Sequence, residues 1–253
     1  MEAKEWNEYV EKVATGAWPV PINMIKDQEN WMCRSIVGRA LVFKEDLEGA
    51  MTVLSTVLDV EPDMDEAPEV GLSEAEHKTL CLRELGEIVY KLAHKPDAAL
   101  QYIDAAYKIA REYQHPFRTG ARGELWYRHL QLLAECGKKE QACEEARKMF
   151  RDEQETSHAP KQDDPKSKIN PYKYFSLKYL AEQEYAAGHV AEASSLLHQA
   201  FEFYPVSLAG EKDLAAANAV NDPEEGYKAY QHCATIQYLP WEKLPPAVIR
   251  RNV

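Results

Sequence analysis

No apolar run in this chain approaches the ~18 residues that a membrane-crossing helix needs, so a membrane partner is not expected. Basic charge is also short: 30 Lys+Arg against 42 Asp+Glu leave a formal net charge of −12. A nucleic-acid binder needs a basic footprint to displace counterions, so nucleic acid is not expected as a partner. The five cysteines (Cys33, Cys81, Cys136, Cys143 and Cys233) are odd in number and never spaced Cys-x-x-Cys. Buried free thiols in a reducing compartment fit this usage better than a disulfide framework or a zinc site. The opening residues Met1 to Trp6 lack the basic-then-apolar layout of a signal peptide. Together these point to a cytoplasmic protein.

The catalytic motifs are missing as well. There is no Gly-x-x-x-x-Gly-Lys-Ser/Thr, no Gly-x-Ser-x-Gly, no His-Glu-x-x-His and no Gly-x-Gly-x-x-Gly. Asp63-Met64-Asp65 begins like a calcium loop, but proline stands at the sixth position, where that loop needs glycine. His129, Cys136 and Cys143 recur every seven residues, yet Gly137 breaks the helix between the cysteines. Core packing, not metal binding, is the expectation there. No catalytic residue, metal site or cofactor is expected, and the reading is non-enzymatic.

What is present is helical periodicity. Fourteen prolines punctuate the chain, none inside a helical pattern, because an interior proline loses a hydrogen bond and clashes with the preceding turn. Between them apolar residues recur at i, i+3, i+4 and i+7. The spacing predicts helices near 3–14, 26–43, 46–60, 73–94, 97–113, 117–136, 139–155, 171–187, 190–204, 211–220 and 223–238. No segment shows the period-two alternation of a strand, so the expected fold class is all-α.

Four inter-helix turns look alike, and each is followed by a helix whose first turn presents an alanine: Ala50, Ala98, Ala142 and Ala193. Twelve residues before each stand Gly38, Gly86, Leu130 and Ala181; four after stand Leu54, Tyr102, Ala146 and Leu197. Seven after come Val57, Ala105, Met149 and Ala200. Small residues facing each other let two antiparallel helices pack closely, and the larger ones fill the gap to the next hairpin.

This pattern resembles the tetratricopeptide repeat (TPR), a helix-turn-helix unit. The matching units are 31–64, 79–112, 123–156 and 174–207, with a degenerate fifth at 208–240. Residues 1–30 would act as a capping lead-in and 241–253 as a proline-rich tail. The alanines lie 48, 44 and 51 residues apart, so the helices or loops are longer than in typical members. The resemblance implies an α-α superhelix, a solenoid whose first helices line a concave groove for a protein or peptide segment. Carried over residue by residue, the candidate groove residues are Arg39, Phe43, Arg83, Glu87, Tyr90, Tyr127, Gln131, Lys178 and Tyr185. Tyrosine and phenylalanine offer rigid apolar area, and arginine grips carboxylates with paired hydrogen bonds. Arg39 and Arg83 are expected to stay accessible, since arginine is seldom wholly buried without a partner.

Members that clamp chaperone C-termini use lysine and asparagine pairs in the first two units; the corresponding positions here are Ser35/Arg39 and Arg83/Glu87, without asparagine, so that subtype is not indicated. The functional expectation is a binding adaptor or scaffold. The alternative is a regulatory protein that senses a peptide or small ligand without a DNA-binding domain. Self-association is a further expectation, with the aromatic segment Tyr172 to Phe175 as its candidate surface.

Overall fold

A computed structural model describes residues 1–16, 19–68, 71–115, 121–151, 170–203 and 211–237. The expected tail at 241–253 and the ends of the expected units 123–156 and 174–207 lie outside the described residues. Among the described residues the fold is all-helical, with no strand. The helices are α1 (Ala3–Ala14), α2 (Trp31–Phe43), α3 (Leu47–Ser55), α4 (Glu74–Ala93), α5 (Pro96–Glu112) and α6 (Ala121–Glu135). They continue with α7 (Lys139–Arg151), α8 (Pro171–Ala186), α9 (Val190–Ala200), α10 (Glu211–Asn218) and α11 (Pro223–Gln237). None of them is long and apolar enough to cross a membrane.

Capping chemistry sets several boundaries. The helix expected from residue 26 starts instead at Trp31, because the Asn30 side chain accepts from the Met32 N–H at 2.9 Å and closes the N-terminus there. A short 3-10 turn takes residues Ile22–Met24. At α3, Asp46 accepts from the Gly49 N–H at 3.0 Å. At α4, Ser73 and Glu76 form a reciprocal capping box. Pro96, Pro171 and Pro223 each occupy the first helical position, where no N–H is needed.

The acidic segment before α4 supports that helix start. Glu66 Oε2 accepts from the Glu74 N–H, and Glu74 Oε2 accepts from the Asp63 N–H, each at 3.0 Å. Carboxylates gathered there complement the positive end of the helix dipole.

The chain forms two compact units that divide between Thr119 and Gly120. In the first, α2 pairs with α3 and α4 with α5; α4 also packs on α2 and α3, and α1 covers α2. The core there is built on Trp6, Val37, Leu41, Val53, Leu54, Leu85 and Ile88. In the second, α6 pairs with α7 and α8 with α9; α8 also packs on α6 and α7, while α11 packs on α9 and α10. The same local scheme therefore occurs in each unit: a hairpin, then a second hairpin whose first helix leans on both helices of the first.

Each hairpin turn contains one residue with positive φ: Glu45 (62°), His94 (49°), Gly137 (76°) and Gly188 (84°). Five residues after each comes a fully buried alanine: Ala50, Ala99, Ala142 and Ala193. The second hairpin thus differs from the sequence reading by one residue. Ala99, Ile103 and Ala106 are fully buried there, in place of Ala98, Tyr102 and Ala105. The reason is local: α4 inserts one extra residue between Gly86 and its left-handed cap His94, which rotates the register of α5.

The equivalent positions Leu54, Ile103, Ala146 and Leu197 are all fully buried. Each large aliphatic side chain among them contributes roughly 1.5–3 kcal/mol by burial. Close approach is visible at Gly86, where an added Cβ would lie 3.2 Å from the Ala99 carbonyl oxygen.

Tyr172, Tyr174 and Phe175 are all buried. Tyr174 and Phe175 meet edge to face at 5.0 Å between ring centroids. This aromatic segment is therefore core, and it is withdrawn as a self-association surface.

Candidate functional site

The nine candidate residues fall on two faces, one in each unit. In the first unit, Arg39 and Phe43 come from α2, and Arg83, Glu87 and Tyr90 from α4. Arg39 and Arg83 are only 6% and 5% exposed, so the expectation of accessible guanidinium groups is corrected. The physical reason is a neighbouring acid. Arg83 Nη2 donates to Glu84 Oε1 at 3.0 Å, and the same carboxylate acts electrostatically on Arg39. Burial pulls the Arg39 guanidinium below its ordinary range, and Glu84 holds it up in opposition. Phe43, Glu87 and Tyr90 are half-buried.

The wall behind these residues is polar. Ser35 Oγ lies 3.2 Å from His77 Nδ1, and the His77 ring meets Trp31 edge-on at 6.2 Å between centroids. Cys81 sits on the same stretch of α4, wholly buried, and burial pushes its thiol up to about 11.

In the second unit, α6 brings Tyr127 and Gln131 while α8 brings Lys178 and Tyr185. Three of these four converge. Lys178 Nζ donates to the Tyr127 hydroxyl at 2.6 Å and lies 4.2 Å from the centre of its ring. Tyr127 in turn donates to Glu182 Oε2 at 2.5 Å, and Lys178 pairs with Glu182 one helical turn on. Gln131 interacts with Tyr127 and accepts from Arg128 Nη1 at 3.4 Å. Burial first, and then the Glu182 charge, push the Tyr127 phenol far above its ordinary value. It is thus a neutral hydrogen-bonding group at any physiological pH, not a base.

Tyr185 stands apart from that cluster, one further turn along α8. Its ring stacks on Tyr227 with centroids 4.1 Å apart and planes 6° from parallel. Its hydroxyl donates to Glu224 Oε1 at 2.7 Å. That bond to a carboxylate raises the Tyr185 phenol and lowers Glu224.

Glu84, Tyr227 and Glu224 were not among the candidates. Glu84 follows Arg83 directly but signals nothing in one dimension, because consecutive helical residues do not normally share a face. Tyr227 and Glu224 come from α11, whose approach to α8 is a tertiary event.

His129 Nε2 lies 2.8 Å from Glu145 Oε2, and its ring stacks on Trp126 at 5.3 Å. Cys143 is a free thiol. Chemically, the two faces offer charged and phenolic hydrogen-bonding groups beside aromatic area, an arrangement suited to recognition. No family model, curated protein or solved structure matches this chain.

Proposed function

We propose that the chain is a non-enzymatic adaptor that binds a peptide or protein segment on the first-helix faces of TPR-like hairpins. The common inward register of four hairpins supports the resemblance to that repeat. The observation that carries the binding reading is the α6–α8 face. Tyr127 and Lys178 gather around Glu182, Gln131 interacts with Tyr127, and Tyr185 at the end of α8 stacks on Tyr227 of α11. Half-buried aromatics beside paired charges are the residue chemistry of peptide-recognition grooves and interface anchors.

The test is capture from the protein's own source lysate, comparing tagged wild type with a Lys178→Gln/Tyr185→Ala double variant, read by mass spectrometry. Arg39 and Arg83 are unsuited to that comparison, because altering a buried, paired guanidinium threatens the fold itself. A protein retained by wild type and lost from a variant of unchanged helicity supports the adaptor. Identical profiles, or no specific protein in either sample, would overturn the groove assignment.

A further inference from the structure

The α8–α9 turn gathers three side chains that the binding reading does not use. Glu184 lies in the last turn of α8, His189 caps α9, and Glu192 stands in the first turn of α9. One ligand atom from each, an imidazole nitrogen and two carboxylate oxygens, lies within 4.8 Å of the others.

The backbone fixes this arrangement. Gly188, at φ 84°, ends α8 in a left-handed turn, and its N–H donates to the Tyr185 carbonyl at 3.0 Å. The His189 N–H then reaches back to the Glu184 carbonyl at 2.9 Å. That nested pair of bonds is the glycine-terminated closure that locks the exit of a helix. It holds the Cα atoms of Glu184 and His189 in a set relation, and one turn of α9 carries Glu192 to the same side.

His189 Nδ1 already lies 2.7 Å from Glu184 Oε2. Two carboxylates and one imidazole are thus held together with no lysine or arginine paired to either acid among the described residues.

We propose that Glu184, His189 and Glu192 form a binding site for a divalent transition-metal ion, zinc above all. Zinc accepts imidazole nitrogen and carboxylate oxygen at about 2.0–2.2 Å, which places neighbouring ligand atoms roughly 3–4 Å apart. The three ligand atoms, each within 4.8 Å of the others, lie near that spacing. Magnesium and calcium are set aside because they select all-oxygen shells, whereas imidazole suits zinc, copper and nickel. Glu184 is half-buried while His189 and Glu192 are exposed, so solvent completes the coordination. Cys143 of α7 feels the Glu184 charge, but it is not in the group whose ligand atoms lie within 4.8 Å of one another, so it is not counted as a ligand. The bound ion would bridge α8 and α9 and clamp that hairpin. Sequence reading did not find the site because its members stand at i, i+5 and i+8 across a helix break, a spacing that matches no single-helix metal motif.

The test uses the full chain without a histidine tag, titrated with zinc chloride by calorimetry in a non-chelating buffer. Thermal unfolding with and without zinc is the second readout. His189→Ala and Glu192→Gln remove ligands at exposed positions, and His94→Asn serves as a control in the other unit. The expected result is one zinc equivalent, with a raised Tm, in wild type and His94→Asn. His189→Ala should lose that equivalent and the Tm rise, and Glu192→Gln should bind at least tenfold more weakly, both with unchanged circular dichroism. Zinc binding of equal stoichiometry and affinity in His189→Ala, or no zinc binding by wild type, would overturn the proposal.

Discussion

The Lys78 ammonium of α4 donates to the Val57 carbonyl, just past the end of α3, at 2.6 Å. The same nitrogen reaches the Leu58 and Val60 carbonyls at 2.6 and 2.7 Å. A helix ends with carbonyls that lack intrahelical partners, and a cation there also meets the negative end of the dipole. Lys78 is 5% exposed, and its three bonds satisfy the donors of a group that burial would otherwise penalise. One lysine therefore fastens α3 to α4.

Lys78→Met keeps the apolar stem and removes those donors. The expected cost is about 3 kcal/mol, because buried carbonyls are left without partners. Urea unfolding followed by circular dichroism reads it. A loss below about 0.5 kcal/mol, the size of an ordinary surface change, would show that the closure adds nothing to stability.

The one-residue register shift in α5 gives a paired comparison. Ala99 is fully buried and Ala98 only partly so. Ala99→Leu forces extra methylenes into a filled interface and should destabilise by about 1–3 kcal/mol. Ala98→Leu should change stability by less than about 0.5 kcal/mol. The reverse order in thermal unfolding would restore the twelve-residue spacing from Gly86 to Ala98.

Asp46 links a helix cap to an ion pair. Burial alone would raise its pKa, but the Lys12 ammonium at 2.5 Å and the Gly49 N–H hold it below the ordinary value of 3.8. A carboxylate depressed in the folded state binds fewer protons there than when unfolded. Its contribution is present above the unfolded pKa and is lost as pH falls through the folded value. Asp46→Asn keeps the cap and removes the charge. Lys12 is half exposed, so the difference from wild type should be only about 0.5 kcal/mol at pH 6. It should shrink progressively as pH falls below about 4 and through the depressed folded value. A pH-independent difference in urea titrations would show that the ion pair is not its source.

Cys81 should resist alkylation. Only the thiolate reacts, and burial pushes this thiol up to about 11. Native protein treated with iodoacetamide at pH 8 should carry no label on Cys81, while the urea-unfolded chain should be labelled there. Peptide mass spectrometry distinguishes the two, and labelling of native Cys81 at the unfolded rate would contradict the buried assignment.

The helices were legible in the sequence because their signals are local. Proline at Pro96, Pro171 and Pro223 starts helices, Gly137 and Gly188 end turns, and apolar residues at helical spacing mark the buried stripes. The positions of Ala50, Ala142 and Ala193 followed from the same local repetition. In the second hairpin the signal was degenerate, since Ala98 and Ala99 are adjacent and chemically identical. The extra residue between Gly86 and the left-handed His94 selects between them and sets Ala99 against Gly86.

The candidate surface was legible in part for the same reason. Lys178 and Glu182 stand one turn apart on one helix, a pairing that sequence spacing encodes. The bond from Tyr127 to Glu182 joins residues 55 apart, and the stacking of Tyr185 on Tyr227 joins α8 to α11. Arg39 and Arg83 look like surface cations in one dimension, yet the fold buries both beside Glu84. The sequence by itself thus determined helix type, most helix starts and the inward stripe of three hairpins, which depend on neighbours within a turn or two. Tertiary structure alone decided which charges are buried and which acids meet which cations, because burial and pairing across tens of residues exist only once the helices have packed.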